Sequence, residues 1–96
     1  MYFRVIRGQI QPGKLDEFLR RWHIEIVPKI HAFQDVRHAY MGVDREKNTV
    51  SSFTLFESEA DEATLDQWVR DFVPRLSDVI VGPPQIEYYE VAEDVS

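Results

Sequence analysis

The 96-residue chain contains no cysteine, which removes disulfides, thiolate nucleophiles and Cys-type zinc sites together. Positive charge is also scarce, with 11 Lys and Arg against 17 Asp and Glu and a formal charge of −6. That balance argues against DNA or RNA as a partner, because neutralising phosphates requires a basic surface. No apolar run approaches the roughly 18 to 20 residues of a membrane span, and Met1-Tyr2-Phe3-Arg4 enters a strand-like pattern instead of a signal-peptide core. A cytoplasmic protein with no membrane partner is the expectation.

Chemical signatures are equally sparse. No glycine-rich phosphate loop is present, and Ser51-Ser52 lacks the Gly-x-Ser-x-Gly turn of a hydrolase. His23, His31 and His38 do not give the i, i+4 pair of a helical zinc site. His23-Ile24-Glu25 echoes a zinc-deaminase His-x-Glu, but without cysteines it carries no weight. No metal site and no cofactor are expected.

What remains is a well-patterned small chain with 44% hydrophobic residues, enough for one core that buries roughly 60 to 68% of the unfolded surface. No linker or low-complexity tract divides it, so residues 1–96 are expected to form one domain, fraying along the acidic end from Glu90. Trp22 matches Trp68 and Pro28 matches Pro74 at one shared offset of 46 residues. Two repeats are too few for a solenoid, so the chain reads as two similar supersecondary halves.

In the first half Leu15, Phe18, Leu19, Trp22, Ile26, Ile30 and Phe33 keep the spacing of one helical face after the Gln11-Pro12-Gly13 turn. In the second, Leu65, Trp68, Val69, Phe72, Val73, Leu76, Val79 and Ile80 repeat it, with Ser58 or Asp61 as cap and Gly82-Pro83-Pro84 as stop. Pro28 and Pro74 fall on the polar sides and predict a curve or kink. Glu17 and Arg21, Asp66 and Arg70, and Asp71 and Arg75 are acid-first pairs on the outer faces.

Strands are predicted over Tyr2 to Ile10, Val36 to Asp44, Val50 to Glu57 and Gln85 to Ala92, with the hairpin tip at Asn48. The order βαββαβ with two related halves specifies an α+β ferredoxin-like split plait, an antiparallel sheet with two helices on one face. Strand two offers Val36, His38 and Tyr40 to one side and Ala39, Met41 and Val43 to the other. Strand three sets Phe53 and Leu55 against Val50 and Phe56, so neither sheet face is uniformly polar. A second copy packing sheet to sheet would cover the spare apolar face, which predicts a homodimer.

Three stretches carry a resemblance to a known family: Tyr2-Phe3-Arg4-Val5-Ile6-Arg7-Gly8, the helix opening Pro12-Gly13-Lys14-Leu15-Asp16-Glu17-Phe18, and Phe53-Thr54-Leu55-Phe56-Glu57-Ser58-Glu59 leading to Asp61-Glu62-Ala63-Thr64-Leu65. Over nearly its whole length the chain resembles the antibiotic biosynthesis monooxygenase-like domains of the dimeric α/β-barrel superfamily. The resemblance implies a barrel formed by two sheets and a small-molecule cleft between helices and sheet in each subunit. It spans cofactor-independent oxygenases, heme-degrading enzymes and muconolactone-isomerase-like enzymes. The heme-degrading branch uses an Asn on the first strand, a Trp and a His on the second helix; this chain has no Asn in Tyr2 to Ile10 and no His between Asp61 and Ile80, its one Asn being Asn48.

Within such a cleft His38 is the candidate general base and Tyr40 the catalytic partner able to hydrogen-bond a phenol or quinone oxygen. Trp22 and Trp68, at equivalent places in the two halves, are candidate walls for a planar ligand, with His23 at the cleft mouth. Tyr88 is a second candidate contact to a substrate oxygen. Arg4, Arg7 and Arg37 are strand cations able to hold an acidic substrate or enolate. Arg37 has the opposite strand parity to Tyr40, so the two are not expected to face one space. The leading reading is a cofactor-independent monooxygenase-like homodimer acting on a phenolic or quinol molecule. Its alternatives are a noncatalytic or stress-linked ligand-binding module, a lactone isomerase-like enzyme and a heme-binding protein.

Overall fold

Alternation on the first strand already divides the molecule into two sides. In the computed structural model, which describes residues 1–58 and 62–95, Arg4, Ile6, Gly8 and Ile10 point towards the helices, while Phe3, Val5 and Arg7 point away. The elements run β1 (Tyr2–Ile10), α1 (Leu15–Glu25), α2 (Val27–Ala32), β2 (Val36–Asp44), β3 (Thr49–Phe56), α3 (Glu62–Phe72), a 3-10 turn over Val73–Leu76, and β4 (Ile80–Glu90). The sheet has the order β2-β3-β1-β4 and each neighbouring pair is antiparallel. This is a ferredoxin-like α+β fold.

The helices differ from the continuous ones that the apolar spacing predicts. The first breaks at Ile26, whose backbone caps α1 and opens α2, with Pro28 in the first turn of the new segment. Proline is tolerated there because those N–H groups have no partner inside the helix. The second half repeats the device, since Val73-Pro74 opens the 3-10 turn as Val27-Pro28 opens α2, keeping the offset of 46 residues. Val79 and Ile80, expected on the helix, instead form a buried turn residue and the start of β4.

β4 begins five residues before the expected Gln85, running through Gly82-Pro83-Pro84 where a helix stop was predicted. Two features permit this. β4 is an edge strand, where proline can leave its outward side unpaired. Gly82 adopts a positive φ of 71° at the register shift opposite Arg7 to Gln9. At the β2–β3 hairpin Asn48 is also left-handed, with a φ of 54°, and the Asp44 carboxylate accepts from the Glu46 and Lys47 N–H groups, both at 3.1 Å.

The helices pack on one sheet face around Ile10, Leu15, Phe18, Val50, Phe72, Leu76 and Val79, with Trp22, Ile26 and Met41 against them. Ser58 donates to Asp35 at 3.1 Å; Asp61, the other proposed cap, lies outside the described residues. Of the three predicted helix pairs, Glu17–Arg21 forms at 2.8 Å. The Asp66 carboxylate instead accepts from Tyr88, and Arg75 donates to the Asp71 backbone carbonyl and pairs with Glu25.

The opposite sheet face carries an aromatic row. Phe3 lies 5.2 Å from both Phe53 and Tyr89, centroid to centroid, and Tyr40 lies 6.3 Å from Phe53 and from His38. Tyr40 is 62% exposed.

Candidate functional site

Between the helices and the inner sheet face lies a cavity of about 80 Å³. Trp22 and Phe18 from α1, Ile26 and Ile30, Trp68 and Phe72 from α3, and Met41, Val50 and Ile6 from the sheet supply most of its wall. Helical spacing places these side chains on one face of each helix, and the 46-residue correspondence brings Trp22 and Trp68 to the same space. Trp68 is further fixed by an edge-on contact with Phe33, centroids 5.4 Å apart and planes at 84°. A cavity of this size holds several waters and must widen for an aromatic ring, since about 150 Å³ admits benzene in an engineered apolar core. Met41, an unbranched side chain in the wall, has the rotamer freedom to make room.

The wall is apolar except at one end. Among the described residues lining it, Arg4 is the sole charged side chain and Ser52 the sole hydroxyl. Arg4 is 5% exposed, and its Nε and Nη1 have no hydrogen-bond partner. Its guanidinium carbon lies 5.9 Å from the centre of the Phe56 ring. Register places Thr54 beside it on β3 and Tyr88 beside it on β4, both on the inner face. Thr54 Oγ1 is likewise buried without a partner.

Tyr88 donates to Asp66 Oδ1 at 2.7 Å. Burial and that carboxylate push its phenol up to about 12, while the nearby Arg4 guanidinium and its hydrogen bond act in the opposite direction. The phenol is therefore a neutral hydrogen-bonding group at physiological pH. Tyr88 thus stands behind the cavity wall, next to Arg4, instead of forming the wall itself.

The other site candidates are dispersed. Val36 pairs with Phe56, on the inner face, but a register shift follows and His38 pairs with Leu55 on the outer face. The expectation that Val36, His38 and Tyr40 share one side is corrected accordingly: the extra residue at Arg37 reverses the parity. His38 and Tyr40 stack on each other and line no part of the cavity shared by Trp22 and Trp68. At the β2 edge, however, His38 and Arg37 line a separate open cleft together with Trp22, Ile30 and Phe33, which Tyr40 and Trp68 do not reach. Arg37 is exposed, with Nε 3.4 Å from the Glu57 carboxylate. His23 is exposed in the last turn of α1 and does not line the cavity. Arg7 pairs with Glu87 on the outer face.

Among the described residues no group of three or more His, Cys, Asp or Glu side chains could hold a metal ion. No helix of the described residues is long and apolar enough to cross a membrane.

The architecture is shared with solved structures of the antibiotic biosynthesis monooxygenase-like class. A candidate antibiotic biosynthesis monooxygenase from Nitrosomonas europaea superposes with a TM-score of 0.77 at 9% identity, covering 97% of this chain and 100% of that one. A further antibiotic biosynthesis monooxygenase gives 0.72 at 16% identity, again over 97% and 100% of the two chains. A protein of unknown function from Nitrosomonas europaea gives 0.77 at 18% identity, over 99% and 92%. At these identities the likeness is one of fold. No family model matches the chain, and no curated protein does.

Proposed function

We propose that the protein is a cytoplasmic homodimer that binds a small planar phenolic or quinol-type molecule in the cavity between helices and sheet, in the manner of a cofactor-independent monooxygenase. The observation that carries this reading is the apolar cavity with Trp22 and Trp68 in its wall, positioned by equivalent parts of the two half-repeats. Once the cavity widens, a flat ring can lie against the indoles, which offer large rigid faces. In cofactor-independent oxygenation the deprotonated substrate itself supplies electrons to O₂, so the protein need only bind the ring, stabilise the anion and exclude water. Assembly would cover the Phe3, Tyr40, Phe53 and Tyr89 row with the same row of a second copy, because a two-fold interface repeats one patch on both sides.

The test is O₂ consumption by the dimer across a panel of phenols and quinols, with no flavin or metal added. Turnover that falls on Trp68→Ala supports the reading. Ligand binding without O₂ uptake across the panel would leave a noncatalytic binding module. One feature favours that second reading: His38, the expected base, does not line the cavity that Trp22 and Trp68 share.

A further inference from the structure

We propose that the cavity takes its ligand as an oxyanion, a planar ring bearing one negative oxygen, and that Arg4 is the anion receptor. This inference rests on the cavity being the ligand site, and it names the charge state that the site selects.

Arg4 is anomalous within its strand. It shares parity with Ile6 and Ile10, so β1 inserts a guanidinium into the apolar layer beneath the helices. Arg7, three residues on, faces outward and finds Glu87; Arg37 finds Glu57. Arg4 makes no ion pair among the described residues, although burial of a charge ordinarily demands a partner. Its Nε and Nη1 donors are unpartnered, and the side chain forms part of the cavity wall. Those two donors are themselves enclosed, so they become available as the cavity widens around a ring, and a polar group beside an otherwise apolar pocket is how such sites fix the orientation of a ligand.

The surrounding groups hold the guanidinium without neutralising it. Phe56 supports it with its ring. Tyr88, on the neighbouring strand, keeps its proton and donates a hydrogen bond to Asp66. Asp66 is thereby engaged one group away from Arg4, and Tyr88 acts as a positioning residue. An oxyanion in the cavity would meet a cation in a weakly screened setting, where charge-assisted hydrogen bonds are strong. A neutral phenol entering the site would then bind as phenolate, its proton passing to solvent. That would also account for a cavity without a histidine base among the described residues: anion stabilisation by Arg4 replaces proton abstraction by a side chain.

The experiment compares 4-nitrophenol with its neutral methyl ether, 4-nitroanisole, on the intact protein. Binding is followed by tryptophan quenching and by the visible phenolate band, at a pH where the free phenol is mostly un-ionised. The expected result is growth of the phenolate band on binding and at least about tenfold tighter binding of the phenol than of the ether, equivalent to about 1.4 kcal/mol. Arg4→Met should abolish that preference while keeping affinity for 4-nitroanisole. Tyr88→Phe should reduce the preference, again with the ether still bound.

Equal affinity of the two probes for the wild-type protein would overturn the anion proposal and leave the cavity reading standing. So would a preference that survives in folded Arg4→Met. Failure of both probes to bind or to quench tryptophan would overturn the cavity reading itself. Should Arg4→Met not fold, as judged by circular dichroism, the wild-type comparison and Tyr88→Phe still decide the matter.

Discussion

Replacing Tyr40 by glutamate should dissociate the proposed dimer without unfolding the protomer. Tyr40 is 62% exposed and touches its own chain through ring contacts with His38 and Phe53. A tyrosine side chain presents about 200 Å², so roughly 120 Å² remains for a partner sheet to cover. At about 25 cal/mol per Å² that is near 3 kcal/mol for each protomer, and two-fold symmetry doubles it. Buried interface area converts only partly into affinity, so about half of the doubled figure is a sound expectation, a weakening of at least about 100-fold in Kd. Glutamate adds a carboxylate to an apolar interface, which pushes further in the same direction. Sedimentation equilibrium over a dilution series measures the dimer constant, and circular dichroism with thermal melting checks the fold. An unchanged Kd in Tyr40→Glu, or a wild-type protein that stays monomeric at every concentration, would refute the assignment of the aromatic face to self-association.

The remaining predictions concern stability. Leu65→Ala should destabilise by about 2–5 kcal/mol in urea titrations, since Leu65 is wholly buried and its removal leaves a cavity. Gly82→Ala should cost roughly 1–2 kcal/mol by the same measurement: φ is 71° and nothing lies within 4 Å of the added Cβ, so the penalty is conformational alone. Glu17, hydrogen-bonded to Arg20 and to Arg21, and Asp78, hydrogen-bonded to Arg21, are both lowered to about 2. Their unfolded forms bind protons at higher pH, so the stability they add is complete above about pH 4.5 and is lost as pH falls towards 2. The Tm gap between wild type and Arg21→Met should accordingly close over that interval. Arg4→Met should melt no lower than wild type, because an unpaired buried cation gives way to an apolar chain of similar length.

Much of the architecture was legible because alternation and helical spacing are local signals. β1 and β2 have the bounds that period-two patterning predicts, and the indole correspondence led directly to two walls of one cavity. Errors arose where one residue acts through tertiary context. The Pro83-Pro84 pair reads as a terminator unless the strand is known to lie on the edge of the sheet. The register shift at Arg37 has no sequence signature, yet it sends His38 to the opposite face from Val36. Arg4 was visible only as one of three strand cations; parity with Ile6 and Ile10 was the signal that sets it apart, and only the sheet register gives that parity its meaning.

The two faces of this sheet solve different problems with similar residues. On the outer face, cations and carboxylates neutralise one another beside an aromatic row, as Arg7 does with Glu87, and the local chemistry is complete apart from exposed apolar surface. On the inner face the helices cover the sheet around a cavity, and Arg4 and Thr54 retain buried polar atoms with no partner. A core chosen for stability alone would replace both with aliphatic side chains, since buried polar groups without partners oppose folding. Departures from such consistency concentrate at functional sites. On the reading proposed above, the unsatisfied Arg4 donors belong to the ligand site of the inner cavity, and the outer aromatic row is the surface that a second copy would cover.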